Sequence, residues 1–313
     1  MNFHIPADGL TKNNYYDPSN MGISNSKVRD FLTSRELFYG RHVDHSIPQD
    51  TTPAMTLGKM VDEIMERGSV KKFQQRYLVK VLKKDDLTGY MKQQKIAAKE
   101  PDRIITEETY AKVVRMGDKI LRAPFYKEYK KKKALFQVPL WQPFMSWVKD
   151  PASNSEFARQ YVPDFDVCGL LDVLTFDHKT STVYIDDLKT TKSASMKNPQ
   201  SWYYKCVDMG YLRQMAFYRW LVIQAYPEFE NYICRHVVIS NEKTDMYPLK
   251  LFVIPNEMLK SPLEEFFSAA HAIAIEEKFI DILPSWSDAE TLMPYHPTQR
   301  VTAMVGGEEM DEV

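Results

Sequence analysis

Apolar residues recur at helical spacing through roughly the first 130 residues, which predicts helices there. One predicted helix begins after a cap at Ser24 or Ser26. Its apolar side consists of Val28, Phe31, Leu32 and Phe38. A second predicted helix covers residues 57–67, and a third begins at Thr106 with two glutamates in its first turn.

After residue 134 the apolar residues form short runs separated by turn-forming residues, which predicts strands. The predicted strands cover residues 135–140, 168–176, 182–189, 232–240 and 249–254, with residues 177–181 as the turn of a hairpin. Helical periodicity returns over residues 203–225, and Asn256 is a predicted cap for a final helix. Together these elements predict an α/β fold in which a central mixed β-sheet is flanked by helices.

The chain has 313 residues and is 44% hydrophobic, which suffices for one large core. No linker-like composition divides it, so we expect a single domain over residues 1–300. The more highly charged residues 71–133 are expected to form a helical subdomain within it. Residues 301–313 are acidic and contain two glycines, a composition typical of a disordered tail.

The formal net charge is −1 at pH 7, so any affinity for nucleic acid has to come from a local patch. The candidate patch is a lysine run formed by Lys127, Lys130, Lys131, Lys132 and Lys133. Such a run is also typical of an ordinary solvated helix face. Composition alone leaves both interpretations open.

The three cysteines, Cys168, Cys206 and Cys234, have spacings that fit neither a disulfide framework nor a zinc site. No apolar run has the length needed to span a bilayer, and the N-terminal residues lack the pattern of a signal peptide. We therefore expect a cytoplasmic protein that does not contact the membrane.

The predicted hairpin carries the residues with the clearest chemical meaning. Asp172 ends the run Gly169-Leu-Leu-Asp172, and Asp187 and Lys189 end the return strand. Two carboxylates at adjacent strand ends can hold a hard divalent cation, and a lysine two residues after the second shares its strand face. Aspartate and lysine also end strands for solubility, so this pattern needs support from other residues.

The predicted helix over residues 203–225 supplies such support. Gln214 and Tyr218 lie four residues apart and share a face, from which an amide and a phenol could approach a phosphate beside a metal ion. The same pair is also typical of a half-buried polar patch. Thr190 and Thr191 directly follow Lys189 and are further candidates for contact with DNA.

These segments together resemble the PD-(D/E)XK nuclease superfamily, and within it the RecE-like (exodeoxyribonuclease VIII-like) and RecB-like DNA exonucleases of bacteria and phages. The matching segments are Tyr15-Tyr16-Asp17, Gly22-Ile-Ser-Asn-Ser-Lys27, Leu57-Gly58-Lys-Met-Val-Asp62, Gly169-Leu-Leu-Asp172, Asp187-Leu-Lys189-Thr-Thr191 and Gly210-Tyr-Leu-Arg-Gln214-Met-Ala-Phe-Tyr218. The resemblance spans most of the chain. It implies a restriction-endonuclease-like core with a helical insertion.

One position departs from the family pattern. These enzymes usually carry a metal-binding histidine four residues after the glycine that corresponds to Gly58, whereas this chain has Asp62 followed by Glu63. A carboxylate is a good oxygen ligand for Mg²⁺ or Mn²⁺. Spacing favours Asp62 as the third ligand, with Glu63 and an ordinary exposed helix face as the alternatives.

The resemblance implies one or two Mg²⁺ ions, for which Mn²⁺ can substitute. The implied ligands are Asp62, Asp172, Asp187 and the backbone carbonyl of Leu188. Lys189 would orient the attacking water or stabilise developing charge, with Gln214 and Tyr218 beside it. Asp186 should point to the opposite strand face and make a surface or loop contact. Three scattered cysteines cannot supply the four that hold an iron–sulfur cluster in one branch of the superfamily, so we expect no cluster.

The implied activity is a metal-dependent DNA exonuclease that hydrolyses phosphodiester bonds at duplex ends, 5′ to 3′, in recombination or repair in a bacterial or phage-infected cell. A single-strand annealing protein would be the partner for the product strand, and a ring-shaped homo-oligomer follows from family resemblance alone. The alternatives are a structure-specific or defence endonuclease of the same fold, and a DNA-binding relative that does not cut.

Overall fold

The computed structural model describes residues 9–17, 22–48, 52–80, 86–97, 99, 103–149, 159–242 and 247–280. The chain divides into two units, Met1–Ala274 and Ile275–Val313, and the site described below lies in the first. The predicted acidic tail over residues 301–313 lies outside the described residues. No helix in the described part of the chain is long and apolar enough to cross a bilayer.

Helices precede, separate and follow the strands along the described part of the chain. The helices are α1 (Asn25–Thr33), α2 (Arg35–His42), α3 (Pro53–Arg67), α4 (Val70–Arg76), α5 (Leu87–Ala97), α6 (Glu107–Arg122), α7 (Pro124–Lys132), α8 (Pro199–Asp208), α9 (Tyr211–Ala225) and α10 (Lys260–Ile280). The strands are β1 (Leu78–Val79), β2 (Ile104–Ile105), β3 (Leu135–Lys149), β4 (Arg159–Asp177), β5 (Thr182–Thr191), β6 (Asn231–Ser240) and β7 (Leu249–Ile254).

The main sheet has five strands in the order β3-β4-β5-β6-β7. Its neighbours are antiparallel except for β5 and β6, which run parallel and place Asp187 beside His236. A parallel pair needs a long crossover connection, and α8 and α9 supply it. The predicted fold class, a central mixed β-sheet flanked by helices, is confirmed.

Two hydrophobic clusters hold the helices against the sheet. One cluster includes buried residues of α1, α2, α8, α9 and α10, among them Phe38, Phe217 and Phe266. The other includes buried residues of α3, α4, α6 and α7 together with Val173 and Ile239 of the sheet. Residues 71–133, the predicted helical subdomain, therefore contribute α6 and α7 to the same cluster as α3.

Several predicted boundaries are wrong for identifiable reasons. The predicted helix over residues 203–225 is two helices, because Gly210 adopts a left-handed conformation with φ of 65° between α8 and α9. Ser24 caps the first helix as predicted, but Ser34 ends it and caps α2, so Phe38 belongs to the second helix. Asn256 begins a 3-10 turn before α10 rather than capping a helix.

Candidate active site

The predicted hairpin brings Asp172 and Asp187 together. Strands β4 and β5 pair antiparallel as far as Val173 and Asp186. One step beyond, the backbone N–H of Leu188 donates a hydrogen bond of 2.8 Å to Oδ2 of Asp172. The two aspartates thus lie where the strands part. At that point the carboxylate of Asp172, rather than a backbone carbonyl of β4, accepts the hydrogen bond from the N–H of Leu188.

Lys189 lies on the same strand face as Asp187 and is held by a chain of polar contacts. Its Nζ lies 2.5 Å from Oδ2 of Asp187 and donates a 2.9 Å hydrogen bond to Oε1 of Gln214. Nε2 of Gln214 in turn lies 3.0 Å from the hydroxyl of Tyr218. The ring of Tyr211 lies under the ammonium group at 4.5 Å. The structure therefore brings together the four residues predicted from strand and helix spacing.

Asp62 reaches the same place from α3. The amide of Gln137 on β3 donates to Oδ2 of Asp62 and, at 3.4 Å, to Oδ1 of Asp172. Gln137 has a left-handed backbone with φ of 50°, an uncommon conformation for a residue other than glycine. Oδ1 of Asp62 is buried without a hydrogen-bond partner among the described residues.

Glu63 faces elsewhere. Its carboxylate accepts hydrogen bonds from Nε of Arg67 at 2.6 Å and from the hydroxyl of Tyr77 at 2.9 Å, and lies 3.3 Å from Arg76. Of the two alternatives at this position, Asp62 is the residue next to Asp172, and Glu63 belongs to a separate ion-pair cluster.

The electrostatics of the three carboxylates are dominated by burial and mutual repulsion. Burial and then the charge of Asp187 raise the pKa of Asp172 to about 7. Burial and then Asp172 raise the pKa of Asp62 well above its usual range, and burial raises the pKa of Asp187. Burial alone would lower the pKa of Lys189, but Asp187 and Asp172 outweigh it and shift that pKa upward.

His236 on β6 is a site residue that the sequence did not reveal. It is fully buried, and its Nε2 lies 3.8 Å from Oδ2 of Asp187. Trp202 Nε1 donates a 3.2 Å hydrogen bond to the other ring nitrogen, Nδ1. Burial and the charge of Lys189 lower the pKa of His236 well below its usual value, so the ring is neutral. With Nδ1 accepting from Trp202, the ring proton resides on Nε2 and faces Asp187.

Asp186 is a correction to the sequence prediction of a surface or loop contact. It lies on the opposite face, as expected from strand alternation, but it is buried. Its oxygens lie 2.5 and 2.6 Å from Arg235, and it accepts a 2.6 Å hydrogen bond from the hydroxyl of Tyr129. Asp186 is therefore part of a buried ion pair on the far side of the sheet.

The remaining predicted residues lie near the site or away from it. The hydroxyl of Thr190 is 3.7 Å from where a Cβ on Gly58 would lie, so Thr190 faces α3. Thr191 is buried. In the lysine run, Lys132 pairs with Asp177 at 2.8 Å, and both Lys131 and Lys132 lie 4.0 Å from Glu128. Acidic neighbours therefore partly neutralise this run.

A close approach of α9 to β4 positions the Gln214 side of the site. A Cβ on Gly169 would lie 2.9 Å from a methyl of Leu221 and 3.0 Å from the ring of Tyr218. Glycine at this position lets the helix lie close to the strand. Gly169 therefore helps to bring Gln214, one turn before Tyr218, within reach of Lys189.

The described residues contain no group of three His, Cys, Asp or Glu side chains already arranged to hold a metal ion. The cause is visible in the contacts, because the amide of Gln137 lies between Asp62 and Asp172 and the ammonium of Lys189 pairs with Asp187. The donor set nevertheless suits a hard divalent cation. It consists of repelling carboxylates with raised pKa values, and Oδ1 of Asp62 is buried with no hydrogen-bond partner in the described part of the chain.

Comparison with known proteins agrees with this geometry. No curated protein matches the sequence. A crystal structure of a "putative exonuclease" from Eubacterium rectale superposes with a TM-score of 0.56 over 95% of this chain and 99% of that protein at 16% identity, so the two share a fold. That fold is the restriction-endonuclease-like α/β fold. A family model described as "PDDEXK-like domain of unknown function (DUF3799)" matches residues 24–277, and the chain therefore belongs to this PDDEXK-like family.

Proposed function

We propose that this protein is a metal-dependent DNA exonuclease that hydrolyses phosphodiester bonds at duplex ends. The observation that carries the proposal is the convergence of Asp62, Asp172, Asp187 and Lys189 where β4 and β5 part, with Gln214 fixing the lysine. Membership of the PDDEXK-like family supports a nuclease. The name of the Eubacterium rectale protein supports an exonuclease rather than an endonuclease.

Asp62, Asp172, Asp187 and the backbone carbonyl of Leu188 would hold one or two Mg²⁺ ions, with Mn²⁺ as a substitute. A bound divalent cation supplies an activated water at neutral pH and neutralises charge that builds on the phosphate. The protein itself holds Lys189 between Asp187 and Gln214, where its ammonium can orient a water or stabilise a phosphate oxygen. Gln214 is held in turn by Tyr218.

The finer parts of the proposal concern polarity and context. We infer cleavage from 5′ to 3′, in recombination or repair in a bacterial or phage-infected cell, from the resemblance of the hairpin and α9 motifs to RecE-like exonucleases. A single-strand annealing partner and a ring-shaped homo-oligomer belong to the same inference. The direction of cleavage, the partner and the oligomer are independent of metal-dependent hydrolysis at the site, so disproof of any of them leaves the proposed hydrolysis standing.

The test is a time course on linear duplex DNA labelled at either the 5′ or the 3′ end, run beside a covalently closed circle, with Mg²⁺ or with EDTA. We expect Mg²⁺-dependent release of mononucleotides from the 5′ label and no cutting of the circle. Asp187→Asn and Lys189→Ala should each reduce the rate by on the order of a thousandfold or more. Cutting of the circle would establish the endonuclease alternative, and binding without cleavage would establish the non-cleaving one.

A further inference from the structure

A wide, solvent-open cavity of about 700 Å³ lies at the C-terminal end of α3, away from the carboxylate cluster. Its lining consists of Arg67, Lys72, Gln75, Arg76 and Arg103. Four of these five side chains are cationic, and the fifth is an amide that can donate or accept. Such a lining attracts an anion.

Contacts with neighbouring residues hold three of the four cations in place. Glu63 pairs with Arg67 at 2.6 Å and with Arg76 at 3.3 Å, so one carboxylate serves two guanidinium groups. Nε of Arg103 donates a 2.8 Å hydrogen bond to the backbone carbonyl of Arg76, which anchors it at the rim. Guanidinium groups present several donors in a fixed plane and match phosphate oxygens well.

Helix electrostatics explain only part of this cluster. Arg67 and Arg76 lie in the last turns of α3 and α4, where the helix dipole favours a positive charge. Lys72 lies in the first turn of α4, where the dipole disfavours it, and Arg103 lies just before β2. The helix dipole therefore accounts for the positions of only two of the four cations that line the cavity.

Resting on the proposed function, we propose that this cavity binds backbone phosphates of the DNA strand engaged by the catalytic site. Asp62 and Arg67 are both on α3, five residues apart, which corresponds to about 7.5 Å along the helix axis. A DNA strand rises about 3.4 Å per nucleotide. Five residues also turn about 140° around the helix, so the strand would follow the side of α3 from the catalytic site to the cavity, a path longer than the axial rise alone.

The lysine run at the end of α7 is the competing surface. Its Lys131 and Lys132 are within ion-pair distance of Glu128, and Lys132 also pairs with Asp177. The cavity instead gathers cations from α3, from α4 and from the residue before β2 around one concave space, and α3 also carries Asp62. Phosphate contacts there would account for DNA affinity in a chain whose net charge is −1.

The test measures affinity for a labelled duplex at several salt concentrations, in an Asp187→Asn background that should bind without cutting. The cavity variant is Lys72→Gln with Arg76→Gln, and the matched control is Lys130→Gln with Lys131→Gln, which removes the same charge from the lysine run. We expect the cavity variant to lower the slope of log affinity against log salt by about two, since each phosphate contact contributes about 0.9. The control should leave the slope within about half a unit.

Two further variants guard against loss of folding. Lys72→Gln alone, at an exposed helix position, should lower the slope by about one. Lys72→Arg with Arg76→Lys keeps both charges and should keep the slope. If the protein cuts DNA but the cavity variants keep the salt slope of the parent, the cavity does not bind DNA and the proposed nuclease function still stands. The same conclusion follows if the slope falls only in the lysine-run control. A parent chain that neither bound nor cut DNA would overturn both.

Discussion

At the scale of single residues, Asp62 and Glu63 are adjacent carboxylates with different surroundings, since Asp62 lies beside Asp172 and Glu63 pairs with Arg67. Substituting each in turn tests which of them serves the candidate site. Asp62→Ala should reduce cleavage by on the order of a hundredfold or more, because it removes the carboxylate that faces Asp172 across Gln137. Glu63→Ala should change the cleavage rate less than tenfold but destabilise the fold, because Arg67 and Tyr77 lose their acceptor. Cleavage rates and thermal unfolding of the two variants provide the measurement.

Asp62→His sharpens the same comparison by introducing an imidazole at this position. Imidazole favours Mn²⁺ over Mg²⁺, so we expect retained activity with a larger Mn²⁺ preference than in the unsubstituted protein. Near-normal activity of Asp62→Ala in both metals would place the third ligand elsewhere in the chain.

We expect His236 to position Asp187, because its Nε2 lies 3.8 Å from the carboxylate while Trp202 holds the opposite nitrogen. His236→Leu should weaken Mn²⁺ binding by about ten- to a hundredfold, the usual effect of losing a group that orients a ligand. His236→Gln keeps a donor near the Nε2 position and should stay within about threefold. Calorimetric titration of Mn²⁺ into the folded variants measures this. Equal loss of thermal stability with unchanged Mn²⁺ affinity in both would reduce His236 to a packing residue.

At the scale of secondary-structure elements, two glycines near the site have opposite packing requirements. Gly169→Ala should destabilise the protein by roughly 1–3 kcal/mol and slow cleavage, because its methyl group would press on Leu221 and Tyr218 and displace α9. Gly58→Ala is the matched control. Its methyl group would make an ordinary contact with Thr190, and alanine favours a helix interior by roughly 0.5–1 kcal/mol.

Thermal unfolding and cleavage rate should therefore separate these two substitutions. Gly58→Ala should be neutral or stabilising and keep its activity. If Gly169→Ala behaved like Gly58→Ala, the close approach of α9 to β4 would have no bearing on the position of Gln214.

The elements that the sequence predicted well are those specified locally. The β4–β5 hairpin follows from two apolar runs around one polar turn, and the shared strand face of Asp187 and Lys189 follows from period-two alternation. Gln137 and His236 were missed because their positions depend on pairing between distant segments. His236 reaches Asp187 through the register of a parallel pair, and Gln137 reaches Asp62 through an irregular backbone conformation. Gly210 was missed because apolar periodicity continues across it.

At the scale of the whole molecule, the raised pKa of Asp172 predicts how stability depends on pH without divalent cations. The folded pKa is about 7, above the roughly 3.9 of an unfolded aspartate, so the folded state binds the proton more tightly. The favourable contribution is fully present below about pH 4 and is lost as the pH rises through about 7. Asp172→Asn should therefore stabilise the protein at pH 8 in EDTA, by roughly 1–3 kcal/mol, and have little effect near pH 4.

Thermal unfolding at both pH values, with and without Mg²⁺, measures this dependence. Mg²⁺ should raise the melting temperature of the unsubstituted protein and leave that of Asp172→Asn nearly unchanged. A variant that is less stable than the parent at pH 8 in EDTA would show that the carboxylates do not repel one another in the folded protein.

The parallel pairing of β5 with β6 also sets the order in which the chain can fold. The β4–β5 hairpin closes a four-residue turn, whereas β6 joins β5 only after α8 and α9 have crossed the sheet, and non-local pairing of this kind is slow. Asp172 and Asp187 would therefore meet early, while His236 and Gln214 arrive with the crossover. Pulsed hydrogen exchange during refolding should show protection of β4 and β5 before β6. Simultaneous protection of all three strands would mean that the refolding chain assembles the candidate site in one step.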